Sequence, residues 1–237
     1  MNTTRFHSLL FAALSLGSCS RDATPSAGTD AISVGGATIS LPAPDGFFRY
    51  DGKSAKVDSF EQQFVSATNR LLAIFGSEET LGEVLMGKIP KSERHFAAES
   101  ERSLETRDIT ASLFAQLKPS LRQTVSSPLD EKYRSVIKEM ESNASSSAGA
   151  SLRLGEIIPL GVFDETSDSL CFSAFTKAQA ETISQSYVSI IACCAVRVKN
   201  RVFFLYANSP YHDKSDIEWA RRSVQRWRDA VLKANSR

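Results

Sequence analysis

The sequence predicts an α+β fold: an antiparallel sheet packed by helices, forming an α/β sandwich in which a C-terminal helix lies across the sheet. Three observations predict it. Four β-rich runs, at 152–163, 169–176, 187–199 and 201–207, follow one another with only short breaks, the pattern of an antiparallel meander. After them, Ser215-Asp216-Ile217-Glu218 has the form of a capping box. It opens a stripe of Ile217, Ala220, Val224, Trp227 and Val231 at the three-and-four spacing of an amphipathic helix. Hydrophobic residues at 42% and charged residues at 23% of 237 positions give an ordinary globular composition, enough to bury one core.

Taken in chain order, the folded part opens at residue 31. Residues 31–41 alternate apolar and small polar side chains around Gly35-Gly36, which predicts a short hairpin. Pro42, Pro44 and Gly46 break it, and Phe47, Phe48 and Tyr50 supply aromatic side chains at the edge of the core. Val57, Phe60, Phe64 and Ala67 predict a helix over 56–68, and the apolar run 70–75 predicts the next strand. Leu81, Val84 and Leu85 place a helix over 78–86, a loop follows at 88–90, and 95–104 reads as a strand.

Ile109, Leu113, Phe114, Leu117 and Leu121 predict a helix over 108–125 that Pro119 kinks or restarts. A second helix is expected at 129–141, followed by an exposed polar loop over 142–149. In the meander, Asn200 marks a tight turn with Lys199 and Arg201 exposed at its corner. The whole of 31–237 reads as a single globular domain.

The N-terminal segment is an address rather than part of the fold. A short polar start containing Arg5 leads into Leu9-Leu10-Phe11-Ala12-Ala13-Leu14-Ser15-Leu16, then into small residues before Cys19. This is the layout of a secretory signal peptide, and the apolar run is too short to span a bilayer as a helix. Leu16-Gly17-Ser18-Cys19 resembles the lipobox of bacterial lipoproteins. The resemblance implies that residues 1–18 are removed, that Cys19 is lipidated, and that the protein is held to the membrane through acyl chains. It also implies, from Ser20 rather than an aspartate after the cysteine, sorting to the outer membrane with the domain facing the periplasm. Residues 20–30, small and polar without apolar periodicity, complete a 19–30 tether reaching about 20 Å from the lipid.

The order of elements also resembles the α/β sandwiches of PsbP-like and DcrB-like bacterial lipoproteins. Ile39-Ser40-Leu41-Pro42 with Gly46-Phe47, and Arg201-Val202-Phe203-Phe204-Leu205-Tyr206 before the last helix, carry that resemblance. The segment 126–151 is an insertion relative to it.

Chemistry is sparse. Lys and Arg total 28 against 27 Asp and Glu, which supplies no field for a nucleic-acid partner. No nucleophile elbow, phosphate loop, zinc-protease helix or dinucleotide fingerprint occurs. Beyond the leader, His95 and His212 are the available histidines. The Tyr211-His212-Asp213 turn reads as a helix N-terminus satisfied by polar groups, and His95 as part of a half-exposed strand. Glu99 and Glu101 share one strand face and read as solvated charge.

Cys171 falls opposite positions close to 192 or 193 in a hairpin closed near residue 182, so export permits a disulfide from Cys171 to Cys193 or Cys194. The alternative, three small buried thiols, stays open. Arg221, Arg222, Arg226 and Arg228 on the last helix form a basic surface that either rests on lipid headgroups or is a solvated face. These readings assign no catalytic, cofactor-binding or metal residue and no cofactor.

The function class that follows is a non-catalytic envelope lipoprotein whose periplasmic domain binds a protein or an envelope component. A toxin inhibitor or immunity lipoprotein is one specific form of it. A periplasmic enzyme with a site not legible in the sequence is the competing class. A binding protein predicts an exposed aromatic or apolar patch; an enzyme predicts a deep pocket with convergent polar groups near His212 or His95.

Overall fold

The structure is a computed structural model that describes residues 31–62, 65–88, 94–126, 152–180 and 186–236. The leader, Cys19, the tether, the expected helix at 129–141 and the polar loop at 142–149 lie outside the described residues.

The protein is an α+β sandwich. A seven-stranded antiparallel sheet runs in the order β3 (Phe48–Arg49), β4 (Asn69–Gly76), β5 (His95–Glu101), β9 (Arg201–Pro210), β8 (Ser186–Val198), β7 (Ser169–Ala180) and β6 (Leu152–Thr166). β6 to β9 form the expected meander; β9 then pairs with β5, joining it to the N-terminal strands. A separate hairpin, β1 (Ala31–Val34) and β2 (Ala37–Ser40), turns at Gly35 and Gly36. Both glycines have positive φ, the requirement of a tight two-residue hairpin turn. Lys199 and Asn200 also adopt positive φ at the β8–β9 turn.

Alternation along the strands divides the core between the two faces of the sheet. On one face Phe96, Ala98, Ala192, Cys194, Phe203 and Leu205 lie beneath α4 (Lys214–Ala234) and the β1–β2 hairpin. On the other, Phe172, Cys193, Phe204 and Tyr206 pack with Phe114, Leu121 and Val125 of α3 (Ala111–Ser126). The α4 stripe is buried as its spacing requires: Ala220, Val224, Trp227 and Val231. Asn235, just past α4, exchanges two hydrogen bonds with Ser40 (2.9 and 2.7 Å), and Trp227 Nε1 donates to the Pro42 carbonyl at 2.7 Å. The end of the hairpin and the loop after it are thus clipped to the helix.

Several elements depart from their expected bounds. α1 (Ala55–Glu61) stops well short of residue 68, and Phe64 lies outside the described residues. Ser66 and Thr68 bond to one another at 2.7 Å, and the Asn69 amide N–H bonds to the Ser66 carbonyl. Such local bonds compete with helix and turn the chain into β4. α2 (Glu78–Leu85) buries Val84 but leaves Leu85 exposed, as is Met86 after it. β5 ends at Glu101, and Leu104 belongs to the turn that follows.

α3 begins at Ala111 and continues through Pro119. Ala115, one turn before the proline and the residue whose carbonyl Pro119 leaves without its helix bond, is on the exposed side, which limits the cost of the lost bond. The α4 capping box starts two residues earlier than Ser215: Asp213 is the N-cap and Asp216 the reciprocal partner.

The outer strands differ in how they end the sheet. β3 is two residues long; β6 is long but carries three register shifts, with Pro159 and a positive-φ Gly161 among them. Such irregularity discourages pairing with a further strand.

Candidate functional site

On the α4 face, a set of side chains converges on open space. The loop after β2 carries Pro44, Asp45 and Phe47 alongside the middle of α4, and between them is a cavity of about 390 Å³. Its walls are aromatic. Phe47 meets Phe96 edge-on at 4.7 Å, Trp219 lies 6.3 Å from Phe47 and 5.7 Å from Phe96, and Trp227 closes the floor at 5.5 Å from Phe96. Phe96 and Trp227 are buried, while Phe47 and Trp219 are only half-buried and show ring surface to solvent. The Trp227 N–H is spent on Pro42, so the floor offers ring faces rather than donors.

Charge sits on the lips. Arg222 and Arg226, one helical turn apart, border the cavity from α4, and Asp45 borders it from the loop. Arg222 donates to the Glu218 carbonyl at 3.3 Å and makes a 3.5 Å contact with the Glu218 carboxylate, both side chains being exposed, and among the described residues Arg226 has no hydrogen bond or ion pair. Beside the groove, Arg94 stacks on Trp219 at 4.5 Å and pairs with Asp216 at 2.9 Å.

The four arginines of α4 therefore do not form one basic surface. Arg228 is buried; it pairs with Asp164 and Asp229 and reaches Cys171 Sγ at 3.5 Å. Burial opposes ionisation of Asp164, but the hydrogen bonds from Arg228, Gln225 and the Glu165 amide, with the Arg228 charge, together outweigh it and lower the pKa. Arg221 donates to Ser173 Oγ at 3.0 and 3.1 Å and covers the Phe163 ring. Helical periodicity explains the split, since 221 and 228 are seven apart and share the sheet-facing side.

His212 stands at the α4 N-terminus with an exposed side chain. Its backbone N–H bonds to Asp216 Oδ2 at 2.9 Å, and Asp213 accepts the Ser215 amide at 2.7 Å. That backbone bond, with the Arg94 guanidinium, holds the Asp216 carboxyl well below the usual range. His95 faces the opposite side of the sheet from Phe96 and the groove. Among the described residues, no group of three or more His, Cys, Asp or Glu side chains is placed to hold a metal ion.

The acidic pair on β5 is buried, not solvated: Glu99 is 3% and Glu101 5% exposed. β5 is a central strand covered on both sides, so its α3-facing residues leave solvent whatever their polarity. Asn69 Nδ2 donates to Glu99 Oε2 at 3.0 Å, and burial pushes the Glu99 carboxyl well above its ordinary pKa. Cys193 and Tyr206, directly opposite each other on β8 and β9, lie in the same region, and burial raises both of theirs. The Tyr206 hydroxyl has no hydrogen-bond partner of ordinary geometry. Among the described residues these groups are enclosed in the core.

Cys171 pairs in register with Cys194, one position beyond the 192–193 expected from a hairpin centred at 182, and the two form a disulfide. Cys193 is left as a free, buried thiol because its side chain points to the other face.

No family model matches the chain, and no curated protein matches it. Among solved structures, the Ran-binding protein Mog1p of Saccharomyces cerevisiae is similar over 89% of this chain and 94% of its own, at 9% identity and a TM-score of 0.27. A likeness at that level carries no weight for function.

Proposed function

We propose that this protein is a non-catalytic envelope lipoprotein, held to the membrane through lipid on Cys19, whose domain faces the periplasm and binds a protein or envelope component. The observation that carries the binding role is the α4 groove. It presents half-buried aromatic rings and an unpaired guanidinium to solvent, the residue types that dominate recognition surfaces. Among the described residues, the polar groups Glu99, Cys193 and Tyr206, whose pKa values burial raises strongly, are buried in the core and do not line that groove.

The anchor rests on the Leu16-Gly17-Ser18-Cys19 segment and on the small, polar residues that separate it from β1 at Ala31. No helix among the described residues is long and apolar enough to cross a membrane. Expression in a bacterium, with fractionation and intact mass of wild type and Cys19→Ala, tests the anchor. We expect a wild-type chain that begins at an acylated Cys19 in the outer-membrane fraction and a Cys19→Ala chain lost from it. An unacylated wild-type chain in the aqueous fraction would overturn it.

A further inference from the structure

We propose that the groove between the Pro44–Phe47 loop and α4 docks a polypeptide segment in which an aromatic or branched apolar side chain is flanked by carboxylates. This deepens the binding role proposed above and rests on it.

The occupant's chemistry follows from the walls. A cavity of about 390 Å³ with ring faces at its floor and sides accepts one large apolar side chain and excludes water from it. Phe47 and Trp219 are the walls of that slot: both keep ring surface exposed although they touch the buried Phe96. The Trp227 N–H is occupied by Pro42, so the floor ring offers its faces, and Ser223 is the one uncharged hydroxyl side chain in the lining. The apolar anchor therefore enters first.

Charge decides what flanks the anchor. Arg226 has no partner among the described residues, and Arg222 is held only within its own helical turn, by the Glu218 carbonyl at 3.3 Å and a solvent-exposed 3.5 Å contact with the Glu218 carboxylate. Each guanidinium can engage a carboxylate without breaking a buried ion pair, and an arginine–carboxylate contact in two-pronged geometry is among the stronger polar contacts available. Arg94, by contrast, is committed to Asp216 and to the outer face of Trp219, where it stiffens the slot. Asp45 on the opposite lip disfavours an anion on the loop side, so the carboxylates are directed toward α4.

The two tryptophans of the chain both line this groove, so intrinsic fluorescence reads its occupancy directly. The full-length chain in detergent is titrated with two end-blocked hexapeptides, Asp-Glu-Phe-Leu-Asp-Glu and Lys-Lys-Phe-Leu-Lys-Lys, neither containing tryptophan. We expect a saturable change in emission with the acidic peptide, at least about tenfold weaker binding of the basic one, and weakening of the acidic complex by salt. The Arg222→Glu/Arg226→Glu double variant should lose at least about tenfold, whereas Lys88→Glu, at an exposed residue that does not line the groove, should not. Asp45→Lys should tighten the acidic peptide several-fold, a gain that unfolding cannot mimic. No saturable response, equal response to both peptides, or an unaffected double variant would each overturn the proposal. Because the titration needs no membrane, its failure is distinct from failure of the anchor, which fractionation decides alone.

Discussion

Glu99 sits in the centre of the sheet with an amide donor, Asn69, and the buried Cys193 and Tyr206 on the same side. Burial raises its pKa, as it does for the half-buried Glu61, pushed up to about 7 from 4.5 despite the hydrogen bond it accepts from the Tyr50 hydroxyl at 3.0 Å. A carboxyl whose folded pKa exceeds its unfolded value binds its proton more tightly in the folded chain. Its stabilising contribution is therefore complete below about pH 4.5 and is lost as pH rises through the folded pKa. For Glu61 that window is 4.5 to about 7, with a total loss of about 1 to 3 kcal/mol; Glu99 extends the decline upward. Urea unfolding at pH 5 and pH 8 should show wild type losing stability over this interval. Glu61→Gln should remove the lower part of the slope and Glu99→Gln the upper part. A slope unchanged in both variants would rule these two carboxyls out as its source.

At the scale of elements, the β1–β2 hairpin depends on the distinction between its two turn glycines. Both require positive φ, but a Cβ on Gly35 would fall 1.8 Å from the Glu105 carbonyl oxygen, whereas one on Gly36 meets nothing within 4 Å. Arg70 fastens the same region by pairing with Glu105 at 2.8 Å and donating to the Ser33 carbonyl at 2.7 Å. Gly36→Ala should therefore cost only the conformational penalty of about 1 kcal/mol, and Gly35→Ala distinctly more, about 2 to 4 kcal/mol, as the hairpin is forced from the turn at Glu105. Denaturant midpoints of the two variants check the difference; equal losses would contradict the close approach. The hairpin itself was legible in its alternation and paired glycines. What it docks on was not, because Glu105 and Asn235 meet it only through tertiary contacts.

For the molecule as a whole, the disulfide joins two neighbouring strands in the C-terminal half of the sheet, immediately beneath α4. Cys171 and Cys194 are 23 residues apart and fully buried, with the Arg228–Asp164 pair alongside. Closing that loop in the unfolded chain is worth about 2 to 4 kcal/mol, and a Cys171→Ala/Cys194→Ala chain should lose that much. Alkylation of the denatured, unreduced protein should modify Cys193 and leave Cys171 and Cys194 unmodified. Modification at all three would show that the pair is not closed.

Much of this architecture was present in the sequence by itself. Repeating patterns of period two and period near four are local, so the meander, α4 and its apolar stripe, and the tight turn at Asn200 could be located without knowing their neighbours. The same local character limits the reading. Periodicity carried α1 past Glu61 because it does not register the side-chain bonds of Ser66, Thr68 and Asn69 that divert the chain. Glu99 and Glu101 read as surface charge because nothing local distinguishes a strand covered on one side from one covered on both. The α4 arginines were visible only as a group; the sheet decided that Arg221 and Arg228 turn inward while Arg222 and Arg226 remain on the lip. Phe47 and Trp219 are 172 positions apart in sequence, by subtraction, and only the packing of the early loop on the last helix makes them facing walls. A groove is a relation between distant segments, and hydrophobic burial of the whole chain is what brings those segments together.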